Sequence, residues 1–500
     1  MIKLILAFVL IVAADSLPAQ DRNSIWIFGD SAGIDFNSTA MPITSGMDSR
    51  GSSTSICDSI GNLLFYACTK GNNWNVAGRV YNRSHVLMQN GDSIYGEAWH
   101  NELTIITNPG KSNQYLLFSM GEVLSTPGFY YSTIDMNQNG GLGAVTQKNI
   151  QLNGFRNADC VTAIKHGNGR DWWLFSKYSD NSTFSNVFYI YLVTLDSIYT
   201  PIILQFNNAI DGDNQKIIFN STADALIQIN ANGFMCEYDF DRCTGIISNP
   251  NIIFPQQTSN FSRFFWNGAY STDGLKFYIS TARSSTQDTS YLLQYDLTSA
   301  NIPASCDTLG FVVEPVQGGT VRLAPDGKIY YSCFYDWGFP GYPYPDTVYN
   351  QYNMNLGVIN YPDSLGSACD YQPFSFYLGG KRTYYGLPNN PNYELGPVVG
   401  SICDTVHTGV EQIETNVTRL ILGPNPANKI IYMNASGLNG KKGKIKVFDA
   451  MGKMIFSNEQ FIFNSGYAWL EIDVSLYASG LYIVHLETEK EMLSGKFVKN

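Results

Sequence analysis

Five hundred residues carry 31 Lys and Arg against 42 Asp and Glu, a net charge of −11, with 44% hydrophobic, 14% aromatic and 15% charged residues. A chain this long buries a sizeable core without metals or staples, and its composition excludes a disordered or collagen-like polymer. The acidity excludes phosphate-backbone binding as the main task, so nucleic acid is not an expected partner.

Residues 1–19 read as a secretory signal peptide. Lys3 supplies a positive start, Leu4 to Ala14 an apolar run, and Leu17-Pro18-Ala19 before Gln20 a cleavage site. The run is well short of the roughly 20 residues that span a bilayer, so a membrane anchor is not expected. No apolar stretch of that length follows, and the mature chain is expected to have no transmembrane segment.

From residue 20 to residue 387 the texture is short runs of β-branched and aromatic residues cut by Gly, Asn, Asp and Ser, which predicts an all-β domain. Asn62-Leu63-Leu64-Phe65-Tyr66, Gln114-Tyr115-Leu116-Leu117-Phe118 and Lys328-Ile329-Tyr330-Tyr331-Ser332 are clear strands, each following a polar turn. The turn-plus-strand unit recurs. Gly61, Gly110, Gly169, Asp224, Gly274, Gly327 and Gly380 are separated by 49, 59, 55, 50, 53 and 53 residues. In an all-β chain that period predicts a β-propeller of about seven blades, with six or eight as the neighbouring counts. An opening strand near Trp26 is expected to pair into the last blade and close the ring.

Nine cysteines lie between Cys57 and Cys403, an odd number that leaves at least one thiol unpaired. Cys236 and Cys243 are closest in sequence and are expected as a local disulfide, with buried thiols as the alternative. There is no C-x-x-C pair, and His85, His100, His166, His407 and His485 stand apart from any ligand spacing, so no metal site is expected. No G-x-S-x-G, H-E-x-x-H, P-loop or dinucleotide fingerprint occurs, and neither catalytic residues nor a cofactor is predicted. Asp211-Gly212-Asp213-Asn214 hints at calcium, but Thr222 stands where the twelfth loop position needs an acid, so a solvated turn is expected. Asp239 and Asp241 share a strand face and could form a carboxylate pair, against turn capping or solvation as the plainer reading. Tyr335, Trp337, Phe339, Tyr342 and Tyr344 crowd a Gly/Pro-rich loop and could stack on sugars, or simply fold on themselves.

Pro388, Pro391, Gly396, Pro397 and Gly400 mark residues 388–415 as a linker. Residues 416–500 then carry a charge of +3 against −14 for the rest, and no cysteine. Closely spaced strands such as Lys444-Ile445-Lys446-Val447-Phe448 and Leu481-Tyr482-Ile483-Val484-His485-Leu486 predict a small C-terminal β-sandwich.

This tail is similar to the type A C-terminal sorting domain of substrates of the type IX, or Por, secretion system of Bacteroidetes. The resemblance rests on Pro424-Asn425-Pro426, Val447-Phe448-Asp449-Ala450-Met451-Gly452-Lys453, Gly480-Leu481-Tyr482 and the closing Lys496-Phe497-Val498-Lys499. It implies that Pro424, Asn425, Pro426, Asp449, Gly452, Gly480, Tyr482 and Lys496 belong to the sorting motif. It also implies that the translocon and its sortase-like peptidase are partners, and that the chain is released or anchored outside the cell. The large domain resembles propeller-like domains of Bacteroidetes surface proteins at Trp26-Ile27-Phe28-Gly29-Asp30-Ser31 and Phe240-Asp241-Arg242-Cys243-Thr244-Gly245. The triplets Asp58-Ser59-Ile60, Asp92-Ser93-Ile94, Asp196-Ser197-Ile198, Asp307-Thr308-Leu309 and Asp363-Ser364-Leu365 resemble the O-glycosylation motif of exported proteins of that phylum.

The expected function is a secreted or surface-held, non-catalytic propeller that binds a glycan or a surface protein. A polysaccharide hydrolase or lyase with carboxylates or tyrosines in the propeller channel is the alternative, and a self-associating surface-layer component a third class.

Overall fold

In the computed structural model, the described residues are 21–49, 51–69, 78–96, 101–121, 128–179, 186–207, 214–257, 263–282, 288–335, 348–404, 419–438, 442–462, 466–488 and 492–500. The expected signal peptide, Asp211 to Asp213, Trp337 to Tyr344 of the aromatic loop, and the linker beyond residue 404 lie outside them.

The large domain is all-β and propeller-like. Its first sheet joins Ile25–Phe28, Asp30–Asp35 and Met41–Asp48; the second joins Ser53–Cys57, Leu63–Cys68 and Arg79–Asn82. Four-stranded antiparallel sheets follow in chain order. The third comprises Leu103–Thr107, Gln114–Gly121, Gly128–Asp135 and Ala144–Asn153; the fourth comprises Thr162–Lys165, Trp172–Lys177, Asn186–Val193 and Ile202–Phe206. Gln215–Phe219, Ala225–Asn230, Met235–Asp241 and Ile246–Phe254 form the fifth, and Phe265–Tyr270, Lys276–Thr281, Thr289–Asp296 and Asp307–Val313 the sixth. Val316–Leu323, Ile329–Tyr335, Asn355–Ile359 and Tyr371–Tyr377 form the seventh.

The recurring glycines explain the spacing. Gly61, Gly110, Gly169, Gly274 and Gly327 sit between the first and second strands of their sheets with φ between 70° and 84°, a conformation that L side chains adopt at a cost. In the fifth sheet Ala223 takes that conformation, at φ 56°, beside the expected marker Asp224. The last marker, Gly380, instead turns the chain out of the seventh sheet toward Arg382, which bridges to Asp30.

Neighbouring sheets are held by apolar clusters that run from one to the next. Ile27 meets Tyr66 between the first and second sheets, and Phe65 and Phe118 join Trp172 across the second, third and fourth. Phe175 and Tyr238 join the fourth and fifth, Met235 and Phe277 the fifth and sixth, and Tyr278 and Tyr331 the sixth and seventh. Trp26, Phe28 and Phe36 of the first sheet then bury against Tyr330, Leu356 and Val358 of the seventh. Each such side chain contributes about 1.5–3 kcal/mol on full burial. Ile25–Phe28 does not add to the last sheet, contrary to expectation. It forms its own hairpin with Asp30–Asp35, because Gly29, at φ 58°, lets the chain reverse there.

The expected linker also behaves differently. Residues 382–391 are almost wholly buried, since their polar groups are matched to the first strands of several sheets rather than to water. The side-chain amide of Asn389 donates to the carbonyls of Leu103 (2.9 Å) and Val161 (2.8 Å), and its backbone N–H to Ser53 (2.8 Å). Asn390 accepts from Thr54 and Ser55 and donates to Asn23. Tyr393 donates to the Ile105 carbonyl at 2.7 Å.

The disulfide expectation is corrected. Cys243 pairs with Cys403, 160 residues away, while Cys236 is a fully buried thiol. Alternation along Met235–Asp241 points Cys236 into the core with Tyr238 and Phe240; Cys243 lies past the strand end, on a turn that faces the last part of residues 382–404, which run as a strap across the sheets. Among the seven free cysteines only Cys306 is exposed, and burial pushes the Cys57, Cys68, Cys160, Cys236 and Cys333 thiols up to about 12. A maleimide is therefore expected to label one thiol in the native protein, seven after unfolding and nine after reduction. Peptide mapping that joined Cys236 to Cys243 would reject the pairing.

In the tail, Arg419–Gly423, Ile430–Leu438 and Gly466–Asp473 form one sheet, and Lys442–Asp449, Met454–Ile462, Gly480–Thr488 and Met492–Lys499 another. Ile431, Met433, Ile472, Val447, Val484 and Phe497 close one apolar core between them. On the other face of the smaller sheet, Tyr432 and Trp469 stack (ring centres 6.1 Å apart) and pack against the core of the fourth and fifth sheets.

Candidate functional site

The sorting-motif residues gather at one end of the tail. Asn425, between Pro424 and Pro426, accepts from the Val498 N–H at 2.8 Å, and Ala427 donates to the Val498 carbonyl, so the first turn is fastened to the last strand. Asp449 accepts from the Met451 and Lys453 N–H groups, both at 2.9 Å, and Gly452 closes that turn at φ 80°. In register, Asp449 pairs with Tyr482 and Tyr482 with Phe497, next to Lys496. The Tyr482 ring stacks on Phe497, with centres 5.4 Å apart, and its hydroxyl donates to the Ala478 carbonyl at 2.8 Å. Gly480, at φ 156°, opens that strand. Sequence order had scattered these residues; the sheet pairing assembles them.

Residues 422–500 match the family described as "Secretion system C-terminal sorting domain". The tail is a type IX sorting signal. The protein is accordingly exported to the cell surface or the extracellular space. Among the described residues no helix is long and apolar enough to cross a membrane. No curated protein matches the chain. Among solved structures, a luciferin-regenerating enzyme is 11% identical at a TM-score of 0.34, covering 73% of this chain and 96% of that one. PorZ, a surface component of the type IX secretion system of Porphyromonas gingivalis, is 10% identical at 0.24, covering 96% and 80%. A quinonprotein alcohol dehydrogenase-like protein of Bacteroides thetaiotaomicron is 10% identical at 0.37, covering 73% and 75%.

Where the sorting domain meets the large domain lies a cavity of about 600 Å³, lined by Asp224, Asp239, Asp241, Arg242, Val398 and the Pro424 to Pro426 turn. Asp239 and Asp241 do face it together, as their shared strand face required. Each is committed to local bonds: Asp239 accepts from Asn249 at 2.6 Å, and Asp241 from the Cys243 N–H at 2.8 Å and the Thr244 hydroxyl at 2.9 Å. Asp241 caps its own turn. Of the aromatic loop only Tyr335 is described, half-buried in the seventh sheet. Ser59, Ser93, Ser197 and Thr308 of the glycosylation-like triplets are exposed.

Beside the cavity the strap is latched to the fourth and fifth sheets. Arg242 donates from Nε to the Lys165 carbonyl at 3.0 Å and from Nη2 to the Gly396 carbonyl at 2.7 Å. Val398 donates to the Gly167 carbonyl at 2.8 Å, and the Cys243–Cys403 bridge follows. Sequence reasoning missed this latch; the signals for it were Cys403, which stands past the last blade marker, and the polar Asn389-Asn390 pair after a run of tyrosines.

His166 belongs to the latch. Its Nδ1 accepts from the Asn168 N–H at 3.0 Å, which leaves Nε2 protonated and donating to the Cys243 carbonyl at 3.1 Å. Burial holds its pKa below the ordinary 6.5. Below pH 6.5 the unfolded chain therefore takes up a proton that the folded one refuses. Stability contributed by this group is whole above pH 6.5 and falls as the pH drops toward its lowered folded value. His166→Gln is expected to flatten the fall in the urea midpoint between about pH 7 and 5; an unchanged slope would remove His166 as its source.

Proposed function

We propose that the protein is a non-catalytic interaction or adhesion module displayed outside the cell by the type IX system. In this reading residues 1–19 are a signal peptide, residues 20–387 a ring of seven blades, and residues 416–500 a β-sandwich. The sorting turn of Pro424, Asn425, Pro426, Asp449, Gly452, Gly480, Tyr482 and Lys496 meets the translocon and its sortase-like peptidase.

The observation that carries the non-catalytic reading is the strap. Asn389 and Asn390 lie among the first strands of the second, third and fourth sheets, with the Arg322 guanidinium of the seventh donating to the Asn390 carbonyl. In a propeller those strands line the axis, where a polysaccharide-cleaving site would need open space. Loops at the blade rims are left to bind a glycan or a surface protein.

Two measurements test this. Cell fractionation with mass spectrometry is expected to find the native chain outside the cell and a chain lacking residues 416–500 in the periplasm; unchanged localisation would overturn the sorting role. Binding of the exported protein to immobilised surface glycans or cell-surface proteins without turnover is the expected second result, and release of shortened saccharides would overturn the non-catalytic role.

A further inference from the structure

The second and third strands of the fourth sheet bring a lysine and an asparagine together inside the interface with the fifth sheet. Lys177 pairs in register with Phe188, so its long side chain reaches diagonally to Asn186, two residues along on the same face. Both side chains are fully buried. The amine lies 3.6 Å from the centre of the Phe188 ring and touches Asn186 Oδ1. Among the described residues no carboxylate forms an ion pair with it, whereas nearby Lys216 is paired with Asp159 at 3.1 Å. Burial brings the Lys177 amine down to about 7, so near neutral pH much of it is unprotonated and nucleophilic.

The amide is held on its other sides by the fifth sheet. Gln228 Nε2 lies 3.3 Å from Asn186 Oδ1. Asn186 Nδ2 donates to the Tyr238 hydroxyl at 3.0 Å, and that hydroxyl donates to Gln228 Oε1 at 3.1 Å. Donors at the carbonyl oxygen and a hydroxyl at the amide nitrogen are what acyl transfer from a carboxamide needs.

We propose that Lys177 and Asn186 join in an intramolecular isopeptide bond after the large domain folds. The Lys177 Nζ lone pair attacks Asn186 Cγ, and the carbonyl electrons move to Oδ1, where Gln228 donates. The tetrahedral centre then collapses: the Nζ–Cγ bond stays, the Cγ–Nδ2 bond breaks, and one Nζ proton passes by way of the Tyr238 hydroxyl to the departing nitrogen. Ammonia leaves, and no oxidant or reductant is required. Exclusion of water protects the product from hydrolysis. The bond closes the 178–185 connection covalently and locks the middle of a sheet that faces the strap.

Trypsin cleaves the unmodified chain after Arg170, Lys177 and Lys216, giving peptides 171–177 and 178–216. With the bond, Lys177 has no free amine, and a single peptide 171–216 about 17 Da lighter, by one ammonia, is expected from the purified exported protein. Asn186→Ala should restore the cut. The wild-type digest decides the matter without the variant: the two separate peptides, or peptide 171–216 at full mass, would overturn the bond.

Discussion

Asn389→Ala is expected to lower the unfolding free energy by about 3–4 kcal/mol, read as a fall in the urea midpoint. The side chain donates to two buried carbonyls, that of Leu103 in the third sheet and that of Val161 immediately before the fourth. Truncation leaves both without that donor, and each orphaned buried acceptor costs about 1–3 kcal/mol. Part of that is recovered if water enters the space vacated. Asn389 also receives the Thr104 hydroxyl on its own carbonyl and gives its N–H to Ser53, so the backbone stays in place and the loss is confined to the side chain. Asn392→Ala, three residues on, removes only a local bond to the Glu394 N–H and is expected to stay within about 0.5 kcal/mol of the parent. Equal effects at the two positions would mean that the strap is not fastened where the fold places it.

The same asparagine shows where sequence reading ends. Turn glycines and alternating strands announce themselves locally, because positive φ and a half-buried pleat each restrict residue choice over a few positions. The recurring turn glycines, the tail strands and the likeness of the tail to a sorting domain were legible for that reason. Asn389, Asn390 and the Cys403 bridge obey no local rule. Their side-chain partners are 228 to 367 residues away for the asparagines and 160 for the cysteine, so a Pro- and Gly-rich stretch with matched buried polar groups reads as a solvated linker. The Cys236 and Cys243 pairing failed on a related point: proximity in sequence says nothing of which face each side chain takes, and a strand sends one inward while the turn frees the other. Asp239 and Asp241 stand on one face as alternation requires, and Asp241 caps its own turn, but the Asp239 bond to Asn249 follows from pairing with the next strand rather than from a local rule. Lys177 and Asn186 carried no signal at all; only the hairpin register makes them neighbours.

Arg382→Leu is expected to cost about 3 kcal/mol and to open the molecule first at the junction between its first and seventh sheets. The guanidinium is buried, forms an ion pair with Asp30 at 3.0 Å, donates to the Val348 carbonyl at 2.9 Å, and lies over the rings of Tyr349 and Tyr384. Removing it strands the Asp30 carboxylate, which keeps the Tyr349 hydroxyl but loses its counter-charge. Breaking a buried pair costs about 3–5 kcal/mol, and the partial exposure of Asp30 places this one at the lower end. Arg382→Lys retains the charge but not the forked geometry and should fall between the variant and the parent. The backbone adds a reason for the site of opening. Gly29 brings its chain against the Arg382 carbonyl so closely that a Cβ would collide with it, and Asp30 donates its N–H to that same carbonyl at 2.9 Å. Here the start of the large domain meets its end, and no covalent continuity supports the contact. Limited proteolysis of Arg382→Leu should therefore release fragments that begin within or just after residues 25–48, with the remaining sheets still protected. Cleavage spread evenly over all sheets would show that Arg382 supports the whole interior rather than the closing seam.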